Sequence, residues 1–335
     1  MTQRNDRSLD IAIRVITVVV IVLSAYLTYM LWDNSRVQAV SSPSGRAVEN
    51  LRAAVKAAPG NPMVRVRLAE ALVFAGRMPE AVEQYNAALE LKKDYVPALS
   101  GLANLAMQDK QYATAVSYWT KIIKMLEGTS SSRSPDLEGA YYGLGVTYLE
   151  MKKYEEAVLN LKESLRMKSS ASDTHYMLSV AYRELGYPDK QREELNITLA
   201  FEPKNAQANY DAGMLALKEG DVATAAESFR TATNWAPAGI DLPRKELDKI
   251  AAKGSASVRL ANALASKEST TALSEARISA ALDPTNVTPV RIVARLWEEF
   301  GEKTRALNAY ERIVELVPGD AQATQAIKRL RPDGK

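Results

Sequence analysis

His175 is the only histidine in a chain of 335 residues, and the chain has no cysteine. A catalytic triad or an imidazole metal site would therefore rest on one ring. The absence of thiols excludes disulfides, cysteine-ligated zinc, iron–sulfur clusters and a sulfur nucleophile. The sequence contains no phosphate-binding loop, no glycine-rich dinucleotide turn after a strand and no His-Glu zinc helix. Asn196-Ile197-Thr198 and Asn286-Val287-Thr288 match the glycosylation tripeptide, but the first falls within a predicted helix and both read as incidental. No set of acids and bases converges, so the chain is expected to be neither an enzyme nor the holder of a cofactor, metal or small-molecule substrate.

Charge narrows the classes further. The formal net charge is +3, with 25% charged and 47% hydrophobic residues, a balance suited to a folded chain. There is no block of like charges and no basic stripe, which argues against nucleic-acid binding. What remains is recognition of other proteins, and that depends on the elements that present the side chains.

The elements are legible as a period. Ala47, Ala81, Ala115, Ala157, Gln191, Ala225, Ala272 and Ala306 each open an apolar helical segment, at spacings of 34, 34, 42, 34, 34, 47 and 34. The two longer spacings exceed 34 by 8 and 13, as insertions in a maintained frame would. Tyr141-x-x-Leu144-Gly145-x-x-Tyr148 followed by Ala157, Leu68-Ala69-x-x-Leu72 with Ala81-x-x-x-Tyr85, and Ala225-x-x-x-Phe229 carry the pattern. On these residues the chain resembles the tetratricopeptide-repeat family. The resemblance implies an all-α, right-handed superhelical solenoid of helix hairpins.

In that frame small residues sit where the two helices of a pair cross closely: Ala69, Ala103, Gly145, Gly213 and Ala294 on first helices, Ala81, Ala115, Ala157, Ala225 and Ala306 on second helices. Gln191 departs from this and predicts local loosening. Proline after a helix removes the donor that would continue it, as at Pro59, Pro203, Pro237, Pro284 and Pro318. The expected organisation is an N-terminal tail (1–10), a transmembrane helix (11–32), a linker (33–43), a capping half-repeat (44–61), two repeats (62–126) and a polar insert loop (127–137). Three repeats (138–237), a helical insert (238–252), two repeats (253–320) and a capping helix with tail (321–335) follow. Full repeats begin near Pro62, Val96, Glu138, Ser172, Ala206 and Val287. The repeat from Lys253 is degenerate in its first helix, where Val258 to Ala261 is expected to fall one residue out of frame. The helical insert is expected to divide the array.

Residues 11–32 supply about the 20 apolar residues that span a bilayer. Val15 to Leu31 contains no charge, proline or glycine, Arg14 lies near one end, and Tyr26, Tyr29 and Trp32 cluster toward the other. A cleaved signal peptide is the alternative, with Val37-Gln38-Ala39 as its cleavage site, but the apolar run is longer than such a core needs. Arg4, Arg7 and Arg14 precede the span and only Arg36 closely follows it. The expected topology is thus a cytoplasmic N-terminus and an extracytoplasmic array, the reverse being a cytosolic array.

The resemblance places the concave surface on the first helix of each pair. That face reads Tyr142, Tyr176 and Tyr210, then Val146, Val180 and Met214, then Leu149, Arg183 and Leu217. Such a row suits an extended peptide or an amphipathic helix with apolar anchors, although tyrosine there can equally cover its own hairpin. The inner sites of chaperone-tail receptors hold Val66, Glu70, Ser100, Asn104, Tyr142 and Val146, of which only Asn104 matches. Arg291, Arg295, Glu298 and Glu299 make the last full repeat polar. His175 falls where an aromatic normally packs, which predicts a core or interface role. The expected function is a membrane-anchored scaffold for assembling an envelope complex. A receptor for unfolded or exported polypeptides and a fixed subunit of a membrane complex are the alternatives.

Overall fold

The computed structural model describes residues 43–128 and 134–331. The span at 11–32 lies outside them, and among the described residues no helix is long and apolar enough to cross a membrane. Seventeen α-helices and no strand occur there. In chain order they are α1 (Pro43–Ala57), α2 (Pro62–Phe74), α3 (Met78–Leu91), α4 (Val96–Gln108), α5 (Tyr112–Leu126), α6 (Pro135–Glu150), α7 (Tyr154–Met167), α8 (Ser172–Glu184) and α9 (Pro188–Phe201). There follow α10 (Ala206–Glu219), α11 (Val222–Trp235), α12 (Leu242–Ala252), α13 (Ala256–Ala265), α14 (Ser269–Leu282), α15 (Val287–Glu299), α16 (Lys303–Leu316) and α17 (Ala321–Leu330).

Local chemistry sets these boundaries. Asn61 caps α2 by accepting from the Met63 N–H at 3.0 Å, and Pro62 takes the first helical position, where no donor is needed. Asn205, Asp221 and Asp320 cap α10, α11 and α17 through the same kind of bond. The first repeat after the polar insert begins at Pro135 and not Glu138. Ser134 accepts from Leu137 N at 3.2 Å and Pro135 follows it, so the end of the polar run is itself a helix start.

The chain forms two compact units, Met1–Met151 and Lys152–Lys335. In the first, α1 to α6 pack in sequence, and the first helices α2, α4 and α6 also touch their neighbours in the layer. Ala69, Ala81, Ala103 and Ala115 are completely buried, and Gly145 lies on the buried side of α6. Aromatics from second helices fill the gaps between hairpins. A Cβ on Gly101 would lie 2.3 Å from the Tyr85 ring, and one on Gly143 would lie 2.5 Å from the Trp119 ring. These two glycines are contact points that the repeat frame did not single out. Burial, reinforced by the charge of Glu70, pushes the Tyr85 hydroxyl up to about 12.

In the second unit Ala157, Ala225, Ala294 and Ala306 are likewise completely buried. Gly213 receives the ring of Phe229, 2.6 Å from where its Cβ would be. Gln191 is buried too, and α9 still packs along α8. The insert does not divide the array as expected. Both α12 and α14 pack on α11, and Leu247, Ile250, Ile278 and Ala281 join the core around Phe229. Arg277 of α14 ties the layers by donating to Glu227 at 2.8 Å and to Thr224 at 2.9 Å, while Arg230 donates to the Leu282 carbonyl at 2.8 Å. The degenerate helix α13 buries Ala263, nine residues before Ala272 as Leu72 stands nine before Ala81, with Leu260 packed beside it and Ala261 exposed. The helix therefore keeps the repeat frame and is not displaced by one residue as expected.

Candidate partner-binding face

In the first unit Tyr142 and Val146 lie one turn apart on α6, both half-buried. With Ser100, Asn104, Met107 and Trp119 they line a pocket of about 410 Å³. Its base exists because Gly143 has no side chain where the indole packs. Trp119 is buried, and its ring N–H has no hydrogen-bond partner among the described residues. Leu149 is half-buried on the same helix but is not part of the pocket lining.

In the second unit Arg183, Tyr210, Met214 and Leu217 come together around a pocket of about 630 Å³, with Gln191 on its wall. Gln191 is a buried polar side chain on the wall of this cavity, and the crossing of α8 and α9 is not loosened there. Met214 is 41% exposed, unusual for a large apolar side chain on an inner helix. Tyr210 is held by packing on Phe229, with ring centroids 5.8 Å apart.

Tyr176 and Val180 do not line that pocket. The Tyr176 hydroxyl donates to Asp211 at 2.9 Å, and Arg183 pairs with the same carboxylate at 3.1 Å. Burial, the Asp211 charge and this bond push the Tyr176 hydroxyl well above its ordinary range. Burial also raises Asp211, outweighing Arg183 and the hydrogen bonds it accepts. Tyr176 thus ties one hairpin to the next, α8 to α10, and Tyr210 and Met214 offer the accessible surface. Asp211 was missed because a buried acid carries no mark in a helical period.

His175 is buried, with Nδ1 2.6 Å from Glu194 and Nε2 3.0 Å from the Ser169 carbonyl. Both nitrogens are occupied internally, which agrees with the structural role expected of it. No group of three metal-ligating residues occurs among the described residues.

Helix hairpins at a 34-residue period, small residues at the crossings and a cleft-bearing inner layer define a tetratricopeptide-repeat chain. Three family models described as tetratricopeptide repeat match residues 45–105, 94–170 and 176–239. In sequence, no curated protein matches this chain. Among solved structures, one described as Pseudomonas aeruginosa pilF aligns over 68% of this chain and 96% of its own, at 19% identity and a TM-score of 0.53. A human IFIT1 dimer with PPP-AAAA aligns over 80% of this chain and 57% of its own, at 17% identity and a TM-score of 0.50. YrrB, described as a TPR protein with an unusual peptide-binding site, aligns over 61% of this chain and all of its own, at 18% identity and a TM-score of 0.45. At these identities the likeness to the first two speaks for the fold alone.

Proposed function

We propose that this chain is a non-catalytic scaffold that holds protein partners on the inner face of its repeats, anchored in a membrane through residues 11–32. Its array lies on the extracytoplasmic side and serves the assembly of an envelope complex. The observation that carries the partner-binding reading is the pairing of apolar side chains with open clefts on inner helices. Tyr142 and Val146 do this in one unit, Tyr210 and Met214 in the other. Clefts of this size accept one or two side chains of an extended segment or amphipathic helix. The apolar run at 11–32 and the arginines before it support the anchor and its orientation.

Crosslinking and pull-down from native membranes test the reading. Tyr142→Ala with Val146→Ala, or Tyr210→Ala with Met214→Ala, should each remove a recovered partner while the far-ultraviolet helical signal is retained. Recovery unchanged in both variants overturns the inner-face assignment. Protease treatment of intact spheroplasts tests topology separately, because only an exported array is digested.

A further inference from the structure

The second unit carries another cleft, and it is made by the insertion that breaks the repeat period. A pocket of about 470 Å³ is lined by Tyr210, Trp235, Pro237, Ile240, Leu242 and Pro243, together with the start of α10. Trp235, Ile240 and Leu242 are each more than half exposed and adjoin one another around the cleft. They lie at the end of α11 and in the stretch leading into α12, the place where the chain departs from its 34-residue frame.

The polar groups at this pocket are already engaged. Asn205 caps α10 through Ala208 N at 2.9 Å and donates to Glu202 at 3.1 Å. Gln207 hydrogen-bonds toward Asp211. What the cleft offers is apolar surface with one cation at its rim. The Lys204 amine stands 4.3 Å from the centroid of the Trp235 ring, and among the described residues no acidic side chain forms an ion pair with it. The insertion contributes no net sign of its own, since Arg244, Lys245 and Lys249 balance Asp241, Glu246 and Asp248. The Glu202 carboxylate is taken up by Ser172 and Asn205, so Lys204, over the cleft's own indole, is the charge that an incoming ligand meets there.

We infer that this pocket is a docking site for a protein segment carrying a bulky apolar residue next to an Asp or Glu. The apolar side chain fills the cleft against Trp235, Ile240 and Leu242, and the neighbouring carboxylate pairs with Lys204. A cation already over an indole face is partly desolvated, so a carboxylate arriving beside it meets a stronger field than at an open surface. The concavity selects a side chain over a lipid surface, which would instead meet protruding apolar residues. The site is distinct from the row of Arg183, Met214 and Leu217, and only Tyr210 borders both. The test accordingly leaves Tyr210 untouched.

A displayed library of random twelve-residue peptides, selected on the full-length protein in detergent, gives the probe. The expected outcome is enrichment of sequences with Leu, Phe, Ile or Met adjacent to Asp or Glu. A synthetic peptide of the enriched sequence should bind Trp235→Ala and Lys204→Glu at least tenfold more weakly, with helical content unchanged. The same peptide with its acid replaced by Lys should recover binding to Lys204→Glu and lose binding to the unsubstituted protein. Tyr142→Ala/Val146→Ala and Arg183→Ala/Met214→Ala should bind the original peptide normally, which separates failure here from failure of the inner-face reading. Enrichment that is indifferent to Trp235 and Lys204, or no enrichment, overturns the inference. So does sedimentation with phosphatidylglycerol vesicles that is lost on Trp235→Ala in a chain lacking residues 1–42, since it assigns the patch to lipid.

Discussion

At the scale of single residues, glycine serves two opposite purposes in these helices. Gly213 is needed because a methyl group there would meet the wholly buried Phe229 ring at 2.6 Å. Overpacking costs about 1–3 kcal/mol, against about 1 kcal/mol gained by replacing a helical glycine with alanine. Gly213→Ala should therefore destabilise by up to about 2 kcal/mol. Gly139, also within a helix, has nothing within 4 Å of its Cβ position, so Gly139→Ala should gain up to about 1 kcal/mol. Urea midpoints moving in opposite directions at constant slope check the pair. Asp211 makes a second residue-scale prediction. Burial holds its carboxyl above the ordinary 3.8, so the folded chain keeps this proton to higher pH than the unfolded chain does. That contribution to stability is fully present below 3.8, falls as pH rises through the raised folded value and is constant beyond it. Asp211→Asn removes the ionisation, so the variant's stability relative to the parent should improve from about pH 4 toward pH 7. Urea midpoints across that range test it, and a difference that does not vary with pH contradicts the dominance of burial.

At the scale of elements, the turn between the two helices of a hairpin is a repeated left-handed residue. Gly76, Gly186, Gly220 and Gly301 have φ of 75°, 75°, 84° and 78° at this place, whereas Lys110 and Lys152 occupy it with φ of 59°. A side chain there costs about 1–2 kcal/mol, and glycine's extra freedom in the unfolded chain offsets about 0.5–1 kcal/mol of the relief. Lys110→Gly and Lys152→Gly should each stabilise by about 0.5–1 kcal/mol, read from thermal or urea midpoints; a loss on both would show that the lysine side chains make compensating contacts. The helix starts at Pro62, Val96, Ser172, Ala206 and Val287 were legible in the sequence because the period and the preceding turn residues agree there. The start at Pro135 was not, since a run of Ser, Thr and Arg reads as a loop until its final Ser-Pro is seen as a cap and first helical residue. The packing of α12 and α14 on α11 was illegible for another reason. Periodicity tells which side of a helix is apolar, but two helices competing for one neighbour are decided by partners such as Arg277 with Glu227 and Thr224, fifty or more residues apart.

At the scale of the whole molecule, the same limit explains which parts of the site were foreseen. Tyr142, Val146, Tyr210 and Met214 follow from the repeat frame and do line clefts; Trp235, Ile240 and Leu242 lie at or beyond the edge of that frame, so no period marks them. Arrays of this kind bind their hairpins through neighbour contacts alone, which predicts that damage stays local. Phe229 is the largest wholly buried side chain of the second unit, in contact with the cores of α10, α11, α12 and α14. Phe229→Ala removes a buried ring and should cost about 3–5 kcal/mol. If cooperativity follows the two units, amide hydrogen exchange under native conditions will accelerate in α10 to α14, while α2 to α5 keep the protection they have in the parent. The parent chain should then unfold in urea with a shallower dependence than a single cooperative transition of this length would give. Equal loss of protection in α2 to α5 would instead mean that the chain unfolds as one unit. The inner-face and insertion clefts would then be coupled through global stability, and a partner bound at either would raise the protection of both.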